Sequence, residues 1–268
     1  MDITSHIKNL LPSIHPLFRV PCTTIYWIGQ IQKEKSNHKQ RFLVVATPGL
    51  FEIQKKIFPS KYCISSYIPF RDLVLILNDG NQMSFYAPGI NMVYSHPDHI
   101  KITAIVIKLR DILFGNLPRP PKISLSEDIQ KQVQSFQYNI QIEHPIAERF
   151  LSLSLGLPIE SLSSDQLAYV YNQIGQKSDG TFVFDADLLA SSLLAPAAEA
   201  IAYGNSITHV IFKNLELGSI LKPFEAILKY NRSIRSMTFS TVSFQECNND
   251  FQQTRAKINS KAPFLYRF

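Results

Sequence analysis

The chain has 268 residues, 27 Lys and Arg against 21 Asp and Glu, a formal charge of +6 and 45% hydrophobic residues. That is enough apolar matter for one large domain or two ordinary cores, and it argues against a mainly disordered chain. The excess charge is uneven, since residues 1–120 carry +7 and residues 121–268 carry −1.

The N-terminus lacks a basic start running into an apolar stretch, which argues against a secretory signal. The longest low-charge stretch, Asp187 to Tyr203, is broken by Ser191, Ser192, Pro196 and Glu199. A spanning helix needs about 20 mostly apolar residues, so no transmembrane segment is expected, while peripheral attachment stays open. Cys22, Cys63 and Cys247 are far apart and form no C-x-x-C pair. They encode neither a disulfide framework nor a cysteine zinc site and suit a reducing, cytoplasmic setting.

In chain order, short apolar runs separated by turn residues predict seven strands at Thr23–Gln32, Arg41–Ala46, Leu50–Gln54, Lys61–Ile68, Leu73–Leu77, Gln82–Ala87 and Asn91–Tyr94. Asn78-Asp79-Gly80 supplies the Asp-Gly pair of a tight primed hairpin, and Thr47-Pro48-Gly49 makes a similar short link. Ser95-His96-Pro97-Asp98 reads as a helix start. Ile102, Ile105, Val106, Leu109, Ile112 and Leu113 then recur at helical spacing toward Gly115.

Asn116-Leu-Pro118-Arg-Pro120-Pro121 is the sharpest change of composition and reads as a domain boundary. Beyond it, helices are expected from a capping box at Ser124-Leu-Ser126-Glu127 to about Asn139, from Pro145 to Leu155, and from Ser164 to Ile174 before Gly175. The domain reading is therefore 20–115, a proline-rich boundary and helical connector at 116–178, and repeats at 179–268.

The last ninety residues repeat. Ile207-Thr-His-Val210-Ile-Phe212-Lys-Asn-Leu215-Glu-Leu217 and Ile234-Arg-Ser-Met237-Thr-Phe239-Ser-Thr-Val242-Ser-Phe244 align at an offset of 27, and Phe182, Phe184 and Leu189 lie 28 residues before Val210, Phe212 and Leu217. Glu199-Ala-Ile201 and Glu225-Ala-Ile227 occupy matching helical stretches between the strand cores. The spacing resembles the leucine-rich-repeat pattern, whose period suits a strand and a helix per unit. The pattern's ninth-position asparagine, which satisfies buried loop amides, is Asp187, Leu215 and Val242 here.

The seven strands and following helix resemble the pleckstrin-homology fold, in which two bent sheets form a sandwich plugged by a C-terminal helix. The helix tryptophan of that family is absent; the chain's one tryptophan, Trp27, lies on the first expected strand. The fold class expected is thus multi-domain, an all-β pleckstrin-homology-like sandwich with a C-terminal helix followed by an α/β leucine-rich-repeat solenoid.

The resemblance also implies a lipid site. A first-strand lysine followed by [K/R]-x-R and an apolar residue is the phosphoinositide-binding pattern of that family, here Lys33 with Lys39-Gln-Arg41-Phe42. Arg grips phosphate with two parallel hydrogen bonds. Lys35, Lys55, Lys56 and Lys61 are expected at the same mouth, with His38. Specific headgroup binding, unspecific attraction to anionic membrane and plain solubility all remain open readings of this loop.

No glycine-rich phosphate loop, nucleophile elbow or H-E-x-x-H motif occurs, so neither catalytic residues nor a cofactor are expected. His96 and His99 make an H-x-x-H without a third ligand nearby in sequence, for which helix capping outweighs metal binding. Nucleic-acid binding is disfavoured, because the basic loop lacks interleaved aromatics or a reading helix. On the repeat strands, Thr181, Val183, His209, Ile211, Lys213, Ser236, Thr238 and Ser240 are expected on the concave, protein-binding face. Three strands about 4.8 Å apart give a floor only about 10 Å across, too narrow to offer the roughly 800 Å² of a standard interface side.

The order of pleckstrin-homology-like domain, helical connector and leucine-rich repeats resembles the N-terminal half of the CARMIL family of capping-protein and myosin-I linkers. That resemblance implies a membrane-associated scaffold at the cell cortex, a protein partner on the repeats, and a link to actin regulation. A pure interaction or dimerisation module without lipid binding is the alternative.

Overall fold

The short apolar runs of the first half pair as antiparallel strands because each is bounded by a turn the chain can close locally. The computed structural model describes residues 3–20, 23–32, 40–56, 61–115, 120–136, 140–142, 144–158, 162–176, 180–204 and 206–240. The chain divides into two units, Met1–Ser164 and Asp165–Phe268.

In the first unit, β1 (Ile25–Ile31), β2 (Arg41–Ala46), β3 (Gly49–Lys55) and β4 (Tyr62–Pro69) form one antiparallel sheet in sequence order. Phe42–Ala46 and Gly49–Ile53 are buried throughout, so the centre of this sheet is covered on both faces. The link between β2 and β3 needs a glycine for space: a Cβ on Gly49 would sit 2.3 Å from the Ile68 carbonyl oxygen.

A second sheet holds β5 (Leu75–Asn78), β6 (Met83–Ala87), β7 (Ile90–Tyr94) and β8 (Lys122–Leu125) in the order β7-β6-β5-β8. The hairpin between β5 and β6 is present at Asn78-Asp79-Gly80, but it closes through four residues rather than two. Asp79 Oδ1 accepts the amide hydrogens of Asn81 and Gln82, both at 2.8 Å, and Asn78 Oδ1 accepts that of Gly80 at 3.0 Å. Those amide contacts, Gln82 first and Asn81 second, hold the Asp79 carboxyl below its ordinary pKa.

Helices flank the strands. Their ranges are α1 (Ile3–Ile14), α2 (His99–Phe114), α3 (Glu127–Ser135) and α4 (Pro145–Ser154). The expected apolar face of α2 is buried at Ile102, Ile105, Val106, Leu109 and Leu113. Every residue of α4 from Ile146 to Ser154 is buried. Ser152 Oγ donates to the Pro48 carbonyl at 2.7 Å, tying α4 to the β2–β3 turn.

The second unit is built from α5 (Ser164–Gln176), β9 (Thr181–Asp185), α6 (Ser191–Ala202), β10 (His209–Lys213), α7 (Leu217–Tyr230) and β11 (Ser236–Ser240). The three strands run parallel in the order β11-β10-β9. The repeat offsets become register: Phe182, Val210 and Met237 are partners across the sheet, as are Phe184, Phe212 and Phe239. The rings of the latter three stack at 5.0 and 5.1 Å with interplanar angles of 8° and 10°. Phe239 closes this ladder 44% exposed.

The expected fold class is not what the chain adopts. It is a mixed α/β protein with several small sheets, none of them closed or a solenoid among the described residues. An all-β sandwich fails on two grounds. Helix α1 precedes the strands with Ile7 and Leu11 buried, and the segment read as purely helical after the prolines contributes β8, which joins β5 in parallel. Lys122 N–H donates to the Val74 carbonyl and Ser126 N–H to that of Asn78, at 2.9 and 3.2 Å. Ser124 therefore lies in a strand, and the capping box is not formed: α3 starts after Ser126, whose side chain makes no capping bond. A solenoid fails because the parallel sheet holds three strands among the described residues.

Candidate functional site

The end of the first sheet where β2 begins and β3 finishes gathers the cations that the sequence singles out. Arg41 is the cross-strand partner of Gln54, Lys55 is the partner of Tyr62, and Lys56 N–H donates to the Lys61 carbonyl at 2.8 Å. Lys55, Lys56 and Lys61 are exposed. Lys55 Nζ stands 5.8 Å from the centre of the Tyr62 ring, within cation–π reach. The residues expected beside them, Lys33, Lys35 and Lys39 with His38, lie outside the described residues. They fall in the connection between Gln32 and Gln40, and those anchors belong to the same sheet end, where Ile31 pairs with Arg41.

Arg41 itself is turned to another task. Its side chain is 15% exposed and its Nη1 ion-pairs with Oε1 of Glu52, which is 2% exposed. Glu52 also accepts from Ser65 Oγ at 2.7 Å and from the Tyr94 hydroxyl at 2.6 Å. Burial, then the adjacent Glu52 charge, push the Tyr94 hydroxyl well above its ordinary pKa, so it stays a hydrogen-bond donor. Arg41, Glu52, Ser65 and Tyr94 thus form a polar joint linking β2, β3, β4 and β7. A guanidinium that is largely buried and paired to a buried carboxylate is poorly placed to grip a phosphate from solvent. The lysines beside it are point charges, suited to attraction by charge density rather than headgroup shape.

The second unit places Thr181, His209 and Ser236 in one cross-strand row and Val183, Ile211 and Thr238 in the next; Lys213 and Ser240 share the third with Asp185. All eight expected residues are on the face opposite Phe182, Phe184, Val210 and Phe212, and none is buried. Asp185 was not anticipated. It is buried, pairs with Lys213 Nζ at 3.2 Å and accepts from the Asp187 amide at 3.1 Å. Burial alone would raise its carboxyl, but the Asp187 amide and Lys213 outweigh this and hold it below the ordinary pKa.

The H-x-x-H pair is absorbed locally. His96 Nδ1 accepts the Asp98 amide hydrogen at 2.9 Å, and His99 Nδ1 lies 3.1 Å from Asn78 Oδ1. The His96 ring meets Trp27 edge to face at 4.9 Å, while Trp27 Nε1 donates to Asp98 at 3.3 Å. Among the described residues, no group of three His, Cys, Asp or Glu side chains could hold a metal ion.

No family model matches the chain, and no curated protein is significantly similar to it. Among the described residues no helix is long and apolar enough to cross a membrane.

The turn between α7 and β11, at the opposite end of the strands from the repeat pattern's ninth position, is closed by Asn231. Its Nδ2 donates to the carbonyls of Ile201 and Gly204 at 2.7 and 2.8 Å, and its Oδ1 accepts from the amides of Ser233 and Ile234 at 2.7 and 2.9 Å. Sequence reasoning looked for this role after each strand and missed it before one. The signal available was an asparagine directly following a helix, where the chain must turn.

Proposed function

We propose that the protein is a non-enzymatic adaptor that attaches peripherally to anionic membrane through the basic end of its first sheet and holds a protein partner on its second unit. The observation that supports this most is the clustering of exposed Lys55, Lys56 and Lys61 around one chain reversal, while Glu52, the carboxylate on the same strand, is buried and neutralised by Arg41. The attachment reads charge density, since the arginine of the lipid-binding pattern is held inside. A place at the cytoplasmic face of the membrane or the cortex, and a link to actin regulation, belong to this proposal through the resemblance in sequence to the CARMIL family.

Each lysine near an anionic surface contributes about 1 kcal/mol. The three described lysines together then account for roughly a hundredfold in partitioning. Co-sedimentation with phosphatidylserine-containing vesicles tests it. The triple variant Lys55→Glu, Lys56→Glu, Lys61→Glu is expected to lose most of the binding, and added salt is expected to weaken the parent. Equal sedimentation of parent and variant, or none by the parent, removes the membrane role and leaves an interaction module.

A further inference from the structure

A second basic surface lies on the second unit, at the edge where the parallel strands begin. Helix α7 ends at Tyr230, and Asn231–Arg235 lead into β11. Arg232 and Arg235 are exposed, and neither side chain has a partner among the described residues. The sequence holds no carboxylate from Ala226 to Ser240, nor in the neighbouring turn from Tyr203 to His209. The acidic side chains Asp185, Asp187 and Glu216 belong to the opposite edge, where β9 and β10 end, while Glu199 and Glu225 lie on α6 and α7, one helical turn before Tyr203 and Lys229. Lys229, also exposed, is engaged first by Tyr230, whose ring centre lies 5.0 Å from its Nζ, and then by Glu225 one helical turn earlier, so the cations left unengaged here are the two arginines.

This turn is held rigidly. Two Asn231 hydrogen bonds, to the Ile201 and Gly204 carbonyls, fix it to the preceding turn, two more from the Ser233 and Ile234 amides close it on itself, and the Arg235 amide donates to the Thr208 carbonyl at 2.8 Å. Beside it Tyr203 and Tyr230 form a half-buried ring pair with centroids 5.0 Å apart. Arginine and tyrosine on a preorganised backbone are the composition of protein-interface anchors, because little side-chain and loop entropy remains to be lost on binding. The C-terminal end of α7 explains a nearby lysine through the helix dipole, but Arg232 and Arg235 lie beyond that last turn.

We propose that the Asn231-clamped turn, with Arg232 and Arg235 flanked by Tyr203 and Tyr230, is a docking surface for a carboxylate-rich segment of a protein partner. It is separate from the face formed by Thr181, Ile211 and Thr238, and it stands whether or not the first unit meets a membrane. Charge complementarity selects the partner, and the aromatic pair gives it an apolar contact at the same place.

The test uses the full chain and a fluorescein-labelled glutamate homopolymer of about 20 residues, followed by anisotropy at low ionic strength. Arg232→Glu with Arg235→Glu is expected to weaken binding at least about tenfold, and the alanine pair to weaken it less, with unchanged thermal melting in both. Lys8→Glu with Lys131→Glu, exposed lysines outside both basic clusters, serves as the control and is expected to retain binding within about twofold. Loss that follows the lysines instead, or the absence of saturable binding by the parent, overturns the proposal. Phosphatidylserine vesicles run in parallel supply a third outcome: vesicle binding that depends on the arginine pair, with homopolymer binding unaffected, assigns the turn to a membrane and overturns it as well.

Discussion

Lowering the pH from 7 to 5 protonates His15 in the unfolded chain while leaving it neutral in the folded one. The residue is 2% exposed. Its Nδ1 accepts the Leu17 amide hydrogen at 3.3 Å, and its ring contacts those of Phe18 and Phe51 at 6.4 and 6.2 Å between centroids. Burial lowers its pKa from 6.5 to about 4. The unfolded state therefore binds more protons between these values, and stability rises with pH across the window. The contribution is intact above pH 6.5, shrinks as pH falls, and is gone below about 4. At about 1.4 kcal/mol per unit, the whole loss is roughly 3 kcal/mol, of which about 2 kcal/mol has gone by pH 5.

Urea unfolding followed through Trp27 reads this directly, because the one tryptophan belongs to the same unit as His15. His15→Asn offers a neutral acceptor for the Leu17 amide at some cost in packing. It should flatten the dependence between pH 7 and 5 by about 2 kcal/mol. His96, whose pKa burial also lowers, adds a slope of the same sign in both proteins, so the difference between them isolates His15. Because His96 lies against Trp27, midpoints rather than intensities are compared. An unchanged slope in His15→Asn would refute the reasoning.

Two further substitutions probe the joints that hold each unit. Glu52→Gln leaves Arg41 with a neutral partner in a buried setting and is expected to cost about 3–5 kcal/mol, read as a lower urea midpoint; an unchanged midpoint would show the pair to be unnecessary. Asn231→Ala removes four hydrogen bonds and should cost about 2–4 kcal/mol, read as faster amide exchange at Ser233 and Ile234. Asn231→Asp keeps the acceptor but not the donors and should recover only part of it.

Local periodicity made individual elements legible, though not the fold class they build. The run Phe42–Ala46, the helical face from Ile102 to Leu113, and the 27-residue echo of Val210 and Phe212 in Met237 and Phe239 each state their own environment. What escaped was set by partners remote in sequence. The tetrapeptide Lys122–Leu125 carries no strand signal of its own and becomes β8 through the Val74 and Asn78 carbonyls, more than forty residues earlier. Helix α1 was not anticipated at all, though Ile7 and Leu11 are spaced one turn apart and both are buried. At the basic end the residue pattern was readable, but not the direction of Arg41: a cation beside a strand reads the same whether it meets solvent or a glutamate across the sheet. The same limit hid Asn231, whose value lies in two carbonyls some thirty residues before it.

Asn231-Arg232-Ser233 also spells the acceptor sequence for N-linked glycosylation. An attached glycan replaces one of the two Nδ2 hydrogens, and here both are already given to the Ile201 and Gly204 carbonyls. The side chain cannot make both donated bonds and also carry a sugar. A chain modified before folding would keep at most one of those two bonds, and a chain folded first would offer the modifying enzyme no free amide.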